Sequence, residues 1–139
     1  MSNPNVSISA IEIPVSKLGR AILWYDHALG FSCEWSDHHH ALLVHKCNPS
    51  SPRVLLVETD DPARLRFVST NTKVVHSAID FETDDLDAFH AHLSICIPGL
   101  EPIPVPANDW APRGFGFSDC EGNRLAVFSY ARSIQPSAL

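Results

Sequence analysis

A repeat at a fixed distance limits what this chain can fold into more than any other feature. Ile13 and Phe81 lie 68 positions apart, as do Leu18 and Leu86 and the expected helix caps Ser16 and Asp84, while Gly30 and Gly99 slip by one. In the first copy, Ile11, Ile13 and Val15 alternate with Ala10, Glu12 and Pro14 in a strand expected over Val6 to Val15. Leu18, Ile22, Tyr25 and Leu29 then recur at helical spacing up to Gly30, a residue suited to a left-handed helix end. Short strands follow at Phe31 to Trp35, Ala41 to His45 and Val54 to Glu58. The second copy has a strand over Val74 to Glu82 and a helix carrying Leu86, Phe89 and Leu93, ended by Pro98-Gly99. A short strand in the proline-rich segment 101–106 precedes a hairpin. In that hairpin Phe115 and Phe117 alternate with Gly114, Gly116 and Ser118, and Leu125, Val127 and Ser129 alternate with Arg124, Ala126 and Phe128, around the turn formers 119–123. Both copies read β-α-β-β-β, which argues for internal duplication. Each half is too small to bury its sheet face alone, so together they are expected to form one curved sheet around a shared concavity.

Composition narrows the function classes. A chain of 139 residues with 45% apolar and 19% charged residues suits one globular domain. A net charge of −6 with no basic stripe argues against a nucleic-acid partner. The start of the chain has no basic stretch followed by an apolar run, and no run is long enough to span a bilayer, so a cytoplasmic protein without membrane partners is expected. Cys33, Cys47, Cys96 and Cys120 form no Cys-x-x-Cys pair, which points to free thiols rather than a zinc site or disulfide framework. His38, His39 and His40 are consecutive and point in alternating directions, so a polar turn is expected rather than a shared ion. His90 and His92, two apart on a helix, face different sides.

The run Ile13-Pro14-Val15-Ser16-Lys17-Leu18-Gly19-Arg20-Ala21-Ile22-Leu23-Trp24-Tyr25-Asp26-His27-Ala28-Leu29-Gly30-Phe31 resembles the first half of vicinal oxygen chelate proteins. That superfamily includes glyoxalase I, bleomycin-resistance proteins, fosfomycin-resistance enzymes and extradiol dioxygenases. Phe81 to Phe89 resembles the opening of its second half, and Asp119-Cys120-Glu121-Gly122-Asn123 is similar to its closing Asp-Pro-Glu-Gly-Asn turn, with Cys120 for proline. The resemblance implies an α+β fold of two βαβββ modules forming a curved, barrel-like mixed sheet around a cleft. On this chain it implies a single 1–139 domain, with module 1 near 6–59, a linker at 60–73 and module 2 near 74–131. It also implies a homodimer.

In the enzymes of this superfamily a divalent metal sits in the cleft, held by a His on the first strand of each module and a Glu on the last strand of one or both. The first-strand positions, eight before Leu18 and Leu86, hold Ala10 and Ala78. The last-strand position of the second module holds Ala126, and subtracting the 68-residue offset points to Glu58 in the first. Three of the four implied ligand positions are therefore alanine.

Six residues stand out as candidates for contacting a ligand. His76 faces the same side of its strand as Ala78 and can act as a hydrogen-bond donor or base, or be a strand-end histidine bonded to backbone or water. Glu58 is a cleft acid, a remnant ligand or a solvated strand end, and a Glu58–His76 pair would make a dyad or half a metal site. Arg124 is suited to an anionic group or to a surface ion pair, and Phe128 shares its face with Ala126. Trp110 in its proline-rich loop and Phe67 in the linker either stack on a ligand or cover the core. Glu12 and Asp80 occupy equivalent repeat positions as rim charges.

The leading expectation is a metal-independent protein that binds a small molecule, sequestering or sensing an aromatic or amphipathic compound, with no cofactor. The alternative is a lyase or dioxygenase-like enzyme whose atypical divalent-metal site uses Glu58 and His76. A purely structural partner domain would instead have its cleft filled by side chains.

Overall fold

Alternating apolar residues build a first strand, β1 (Ala10–Val15), whose Ile13 and Val15 are fully buried. The computed structural model describes residues 3–130 and divides into two units, residues 1–63 and 64–139. The first unit continues with α1 (Leu18–Leu29), β2 (Phe31–Ser36), β3 (His40–His45) and β4 (Arg53–Glu58). Its sheet order is β1-β4-β3-β2, with β1 parallel to β4 and the other pairs antiparallel. A parallel pair needs a crossover, and α1 begins it.

The expected strand from Val6 is shorter, because β1 pairs only with β4 and its ladder ends at Ala10–Arg53. The residue before Arg53 is Pro52, which has no N–H to donate. Leu18, Ala21, Tyr25, Ala28 and Leu29 form the buried stripe of α1, and Ile22 lies at its margin. Gly30 ends this helix at φ 78°, a left-handed conformation that glycine adopts without strain. The three histidines follow a tight polar turn, in which Asp37 Oδ1 accepts from the amides of His39 at 2.8 Å and His40 at 2.7 Å.

The second unit opens with a short antiparallel ribbon, β5 (Phe67–Val68) and β6 (Val75–His76). Then come β7 (Ile79–Glu82), α2 (Leu86–Cys96), β8 (Arg113–Ser118) and β9 (Arg124–Ser129). Their sheet order is β7-β9-β8, with β7 parallel to β9 and β8 antiparallel to it. The parallel pairing of β1 with β4 thus recurs as that of β7 with β9. Phe89 of α2 meets Phe115 and Phe117 at ring distances of 6.4 and 6.3 Å, which packs the helix onto one face of the sheet.

Four expectations need correction. The strand expected over Val74 to Glu82 is split, with residues 77–78 outside any strand. Segment 101–106 forms no strand: Pro102, Pro104 and Pro106 remove every second N–H and strip one edge of its donors. The second unit is therefore β-α-β-β beside its ribbon. Neither cap is the expected one. α1 starts after Lys17, which makes no side-chain cap, and α2 starts after Asp85, whose carboxylate accepts from the Ala88 amide at 3.0 Å. Finally, none of the three sheets closes into a barrel among the described residues. Residue 131, expected to end module 2, lies outside the described residues. No helix among the described residues is long and apolar enough to cross a membrane.

The turn between β8 and β9 is a closed polar cage. Asp119 Oδ1 accepts from the amides of Glu121 and Asn123 at 2.8 and 2.9 Å, and Asn123 Nδ2 donates to Asp119 Oδ2 at 2.9 Å. Asn123 Oδ1 accepts from the Leu65 amide at 2.9 Å, tying the start of the unit to its last hairpin. Gly122, at φ 91°, closes the turn where a side chain would be strained. Asn123 is fully buried, so its own amide group depends on these partners. Asn123→Ala removes the acceptor of the Leu65 amide and the donor to Asp119 Oδ2, two hydrogen bonds at once, and is expected to cost about 3 kcal/mol in urea unfolding. A loss below about 0.5 kcal/mol would show that the cage does not hold the hairpin.

Candidate functional site

Side chains alternate along β9, so Leu125 and Val127 enter the core while Arg124, Ala126 and Phe128 lie on the opposite face. The ladder sets Ser118, Gly116 and Gly114 of β8 opposite Arg124, Ala126 and Phe128. On the other side of β9, Asp80 of β7 stands opposite Ala126, and Glu82 opposite Phe128. The two glycines are required here. A Cβ at Gly116 would lie 2.5, 3.0 and 3.1 Å from Nη2, Cζ and Nε of Arg124, and one at Gly114 would overlap the Phe128 ring and sit 2.6 Å from the Val127 carbonyl. Arg124 and Phe128 therefore lean together over the bare backbone of β8.

Two further candidates meet on the ribbon. Phe67 pairs with His76 across β5 and β6, and their rings stack 5.2 Å apart with 13° between planes. Both are exposed, Phe67 by 57%. Trp110 stands 74% exposed in the loop before β8 and does not join either pair.

Glu58 is engaged within the first unit. Its Oε2 accepts from the Leu18 amide at 2.9 Å, at the first turn of α1, and its Oε1 lies 3.5 Å from His39 Nδ1. The helix start that lacks its own side-chain cap is thus capped from β4. The Leu18 amide holds the carboxyl below the ordinary value of 4.5, with help from His39 and Lys17 against partial desolvation.

The ladders also correct the assignment of Glu58 to the ligand position. Glu12 pairs with Leu55 in the first unit and Asp80 pairs with Ala126 in the second. Glu12 and Asp80 are repeat equivalents, so the counterpart of Ala126 is Leu55, and the last strands are offset by 71 rather than 68. A fixed offset carries no information about loop lengths, which is why subtraction pointed three residues too far. The four positions implied for metal ligands are then Ala10, Leu55, Ala78 and Ala126, and none offers a donor atom. These residues do not fit a metal, and no group of three His, Cys, Asp or Glu side chains among the described residues is arranged to hold one. Ala10 instead lines, with Ser9, Leu42 and Arg53, an open depression of about 380 Å³ in the first unit. Arg53 at its edge is held by Glu34 at 3.1 and 3.2 Å.

Sequence reasoning passed over Gly114 and Gly116 as site-forming residues, although their signal was available. A five-residue connection fixes the pairs 118–124, 116–126 and 114–128, and so sets glycine beside the large side chains of β9.

No protein-family model and no curated protein matches the chain. Solved structures do. A member of the glyoxalase/bleomycin resistance protein/dioxygenase superfamily from Sphaerobacter thermophilus superposes with a TM-score of 0.65 at 19% identity, covering 90% of this chain and 98% of that one. TnmS3, an antibiotic binding protein from Streptomyces, gives a TM-score of 0.66 at 21% identity over 92% of this chain and 98% of its own. The fosfomycin resistance protein FosX from Listeria monocytogenes gives 0.67 at 11% identity over 92% and 94%. At these identities the likeness shows the fold: the chain has the architecture of the glyoxalase, bleomycin-resistance and dioxygenase proteins.

The contact of Glu58 with α1 predicts a defined pH response. A carboxyl whose value is lowered on folding contributes stability above its unfolded value, and that contribution is lost as pH falls through the folded value. The stability difference between the protein and its Glu58→Gln variant is therefore expected to be full at neutral pH and to vanish as pH drops below the ordinary 4.5. Urea midpoints measured at several pH values would show it, and a pH-independent difference would exclude the charged contact.

Proposed function

We propose that this chain is a metal-independent small-molecule-binding protein, which sequesters or senses an aromatic or amphipathic compound in the cytoplasm. The observation that carries this reading is the residue set Ala10, Leu55, Ala78 and Ala126 at the positions where enzymes of this fold bind metal. Replacing carboxylates and imidazoles by small apolar side chains removes charge and bulk together. An apolar ligand then gains about 25 cal/mol for each Å² it buries, and a few polar groups set its orientation. The likeness in fold to an antibiotic binding protein supports the same class of function.

In this reading the chain is one functional domain, and the protein works as a homodimer. Arg124 and Phe128 supply one set of contacts, and the stacked His76 and Phe67 another. Trp110 is a wall of that site, and Glu58 serves to hold α1. The alternative, a metalloenzyme built on Glu58 and His76, is the weaker reading, because a Glu58 oxygen is already bonded to the Leu18 amide.

Elemental analysis of purified, untagged protein is expected to find far less than one divalent metal per chain. One tightly held metal per chain, lost on Glu58→Ala or His76→Ala, would overturn the proposal in favour of the enzyme. Sedimentation at micromolar concentration is expected to give a dimer mass, and a stable monomer would remove the homodimer from the reading.

A further inference from the structure

We infer that the face of β8 and β9 away from α2 is built to take a planar aromatic carboxylate, with Arg124 receiving the anion and Phe128 the ring. This names the ligand class for the binding function proposed above and rests on that reading.

Arg124 is half-buried on a sheet face, and its guanidinium makes no hydrogen bond or ion pair among the described residues. The other partly buried arginines among the described residues are engaged. Arg53 is held by Glu34, Arg64 by Glu121 and Arg113 by Asp87. Carboxylates lie on the same face as Arg124, but the side chain leans away from them. Asp80 and Glu82 belong to β7, on one side of β9, whereas the guanidinium lies over Gly116 of β8, on the other side. The two outer strands are about 9.5 Å apart. Asp80 is moreover bonded to the Ser77 hydroxyl at 2.8 Å. A guanidinium presents several donors in a planar fork that matches a carboxylate.

Phe128 supplies the second half of the site. Its ring lies over Gly114, two residues from Gly116, so ring and guanidinium are spaced by about 7 Å along β8. That spacing suits one aromatic ring carrying one carboxylate. Gly114 and Gly116 keep the floor flat, and Ala126 adds only a methyl group between them. A strand that sets glycine beneath the Arg124 guanidinium and beneath the Phe128 ring gives up stability for this arrangement.

The test compares two probes of one shape, 2-naphthoate and its neutral amide, 2-naphthamide, by titration calorimetry. The protein is expected to bind naphthoate at least about tenfold more tightly, a difference of about 1.4 kcal/mol. Arg124→Gln is expected to abolish the preference, so that the variant binds naphthoate no more tightly than naphthamide. Gly116→Ala keeps the arginine but pushes its guanidinium off β8, and is expected to reduce the same preference; thermal melts confirm that each variant is folded. If the protein binds both probes equally, or if the preference survives in folded Arg124→Gln, the anion assignment is wrong while the small-molecule reading stands on naphthamide binding. If neither probe binds at millimolar concentration, both are overturned.

Discussion

The parallel pairing of β1 with β4 and of β7 with β9 is the constraint on which the rest depends. A parallel neighbour cannot be reached by a tight turn, so the chain must cross over, and α1 and α2 begin those crossovers. Each helix then covers one face of its sheet. Buried apolar residues collect on that face: Ile13, Val15 and Leu56 in the first unit, Ile79, Leu125 and Val127 in the second. The opposite face is released from core packing, and there alanine, glycine and charged residues can stand in the middle of a sheet. The register of this one ladder also decides which residue of the last strand faces which residue of the first. It therefore decides which chemistry the free face carries.

What was legible in the sequence follows from periodicity and local turn chemistry. Both helices, the first-unit strands and the final hairpin lie within a few residues of their expected places, because period 2 and period 3.6 are properties of short stretches. Asp119 to Asn123 announced a turn by composition, and the cage of hydrogen bonds explains why an Asp and an Asn are needed at its two ends. What was not legible depends on contacts between distant stretches. The cap of α1 comes from Glu58, 40 positions away, so no local motif at Ser16 or Lys17 records it. The ribbon pairing of Phe67 with His76 brings a presumed linker against a presumed strand, and neither sequence alone specifies the partner. The missing strand at 101–106 was half legible. The repeat order left room for a short strand there, and its three alternating prolines were the stronger signal.

Glu58 shows how a candidate site residue changes meaning once its partner is known. A carboxylate at the end of a strand, beside alanines where metal ligands belong in related folds, reads as a remnant of metal chemistry. In the structure its oxygen satisfies a helix N-terminal amide, and the positive end of the α1 dipole faces the negative charge. Substituting it would disturb helix placement first. A loss of binding in such a variant would therefore carry little weight unless folding were measured alongside it.

The glycines of β8 invite the opposite treatment. Gly114 and Gly116 weaken a strand, each by roughly 0.5 to 1 kcal/mol relative to alanine, and neither has a left-handed φ that would require glycine. Backbone conformation thus does not explain them, and the space above them does: both are overlain by side chains from β9. An arginine that merely needed solvent would extend from the face and leave alanine room beneath. One that lies down over bare backbone, with a phenylalanine doing the same over the glycine two residues away on β8, uses the room those glycines leave. Gly114 and Gly116 thus leave the room in which Arg124 and Phe128 lie along the sheet, and that room sets which side chains this face of β8 and β9 presents.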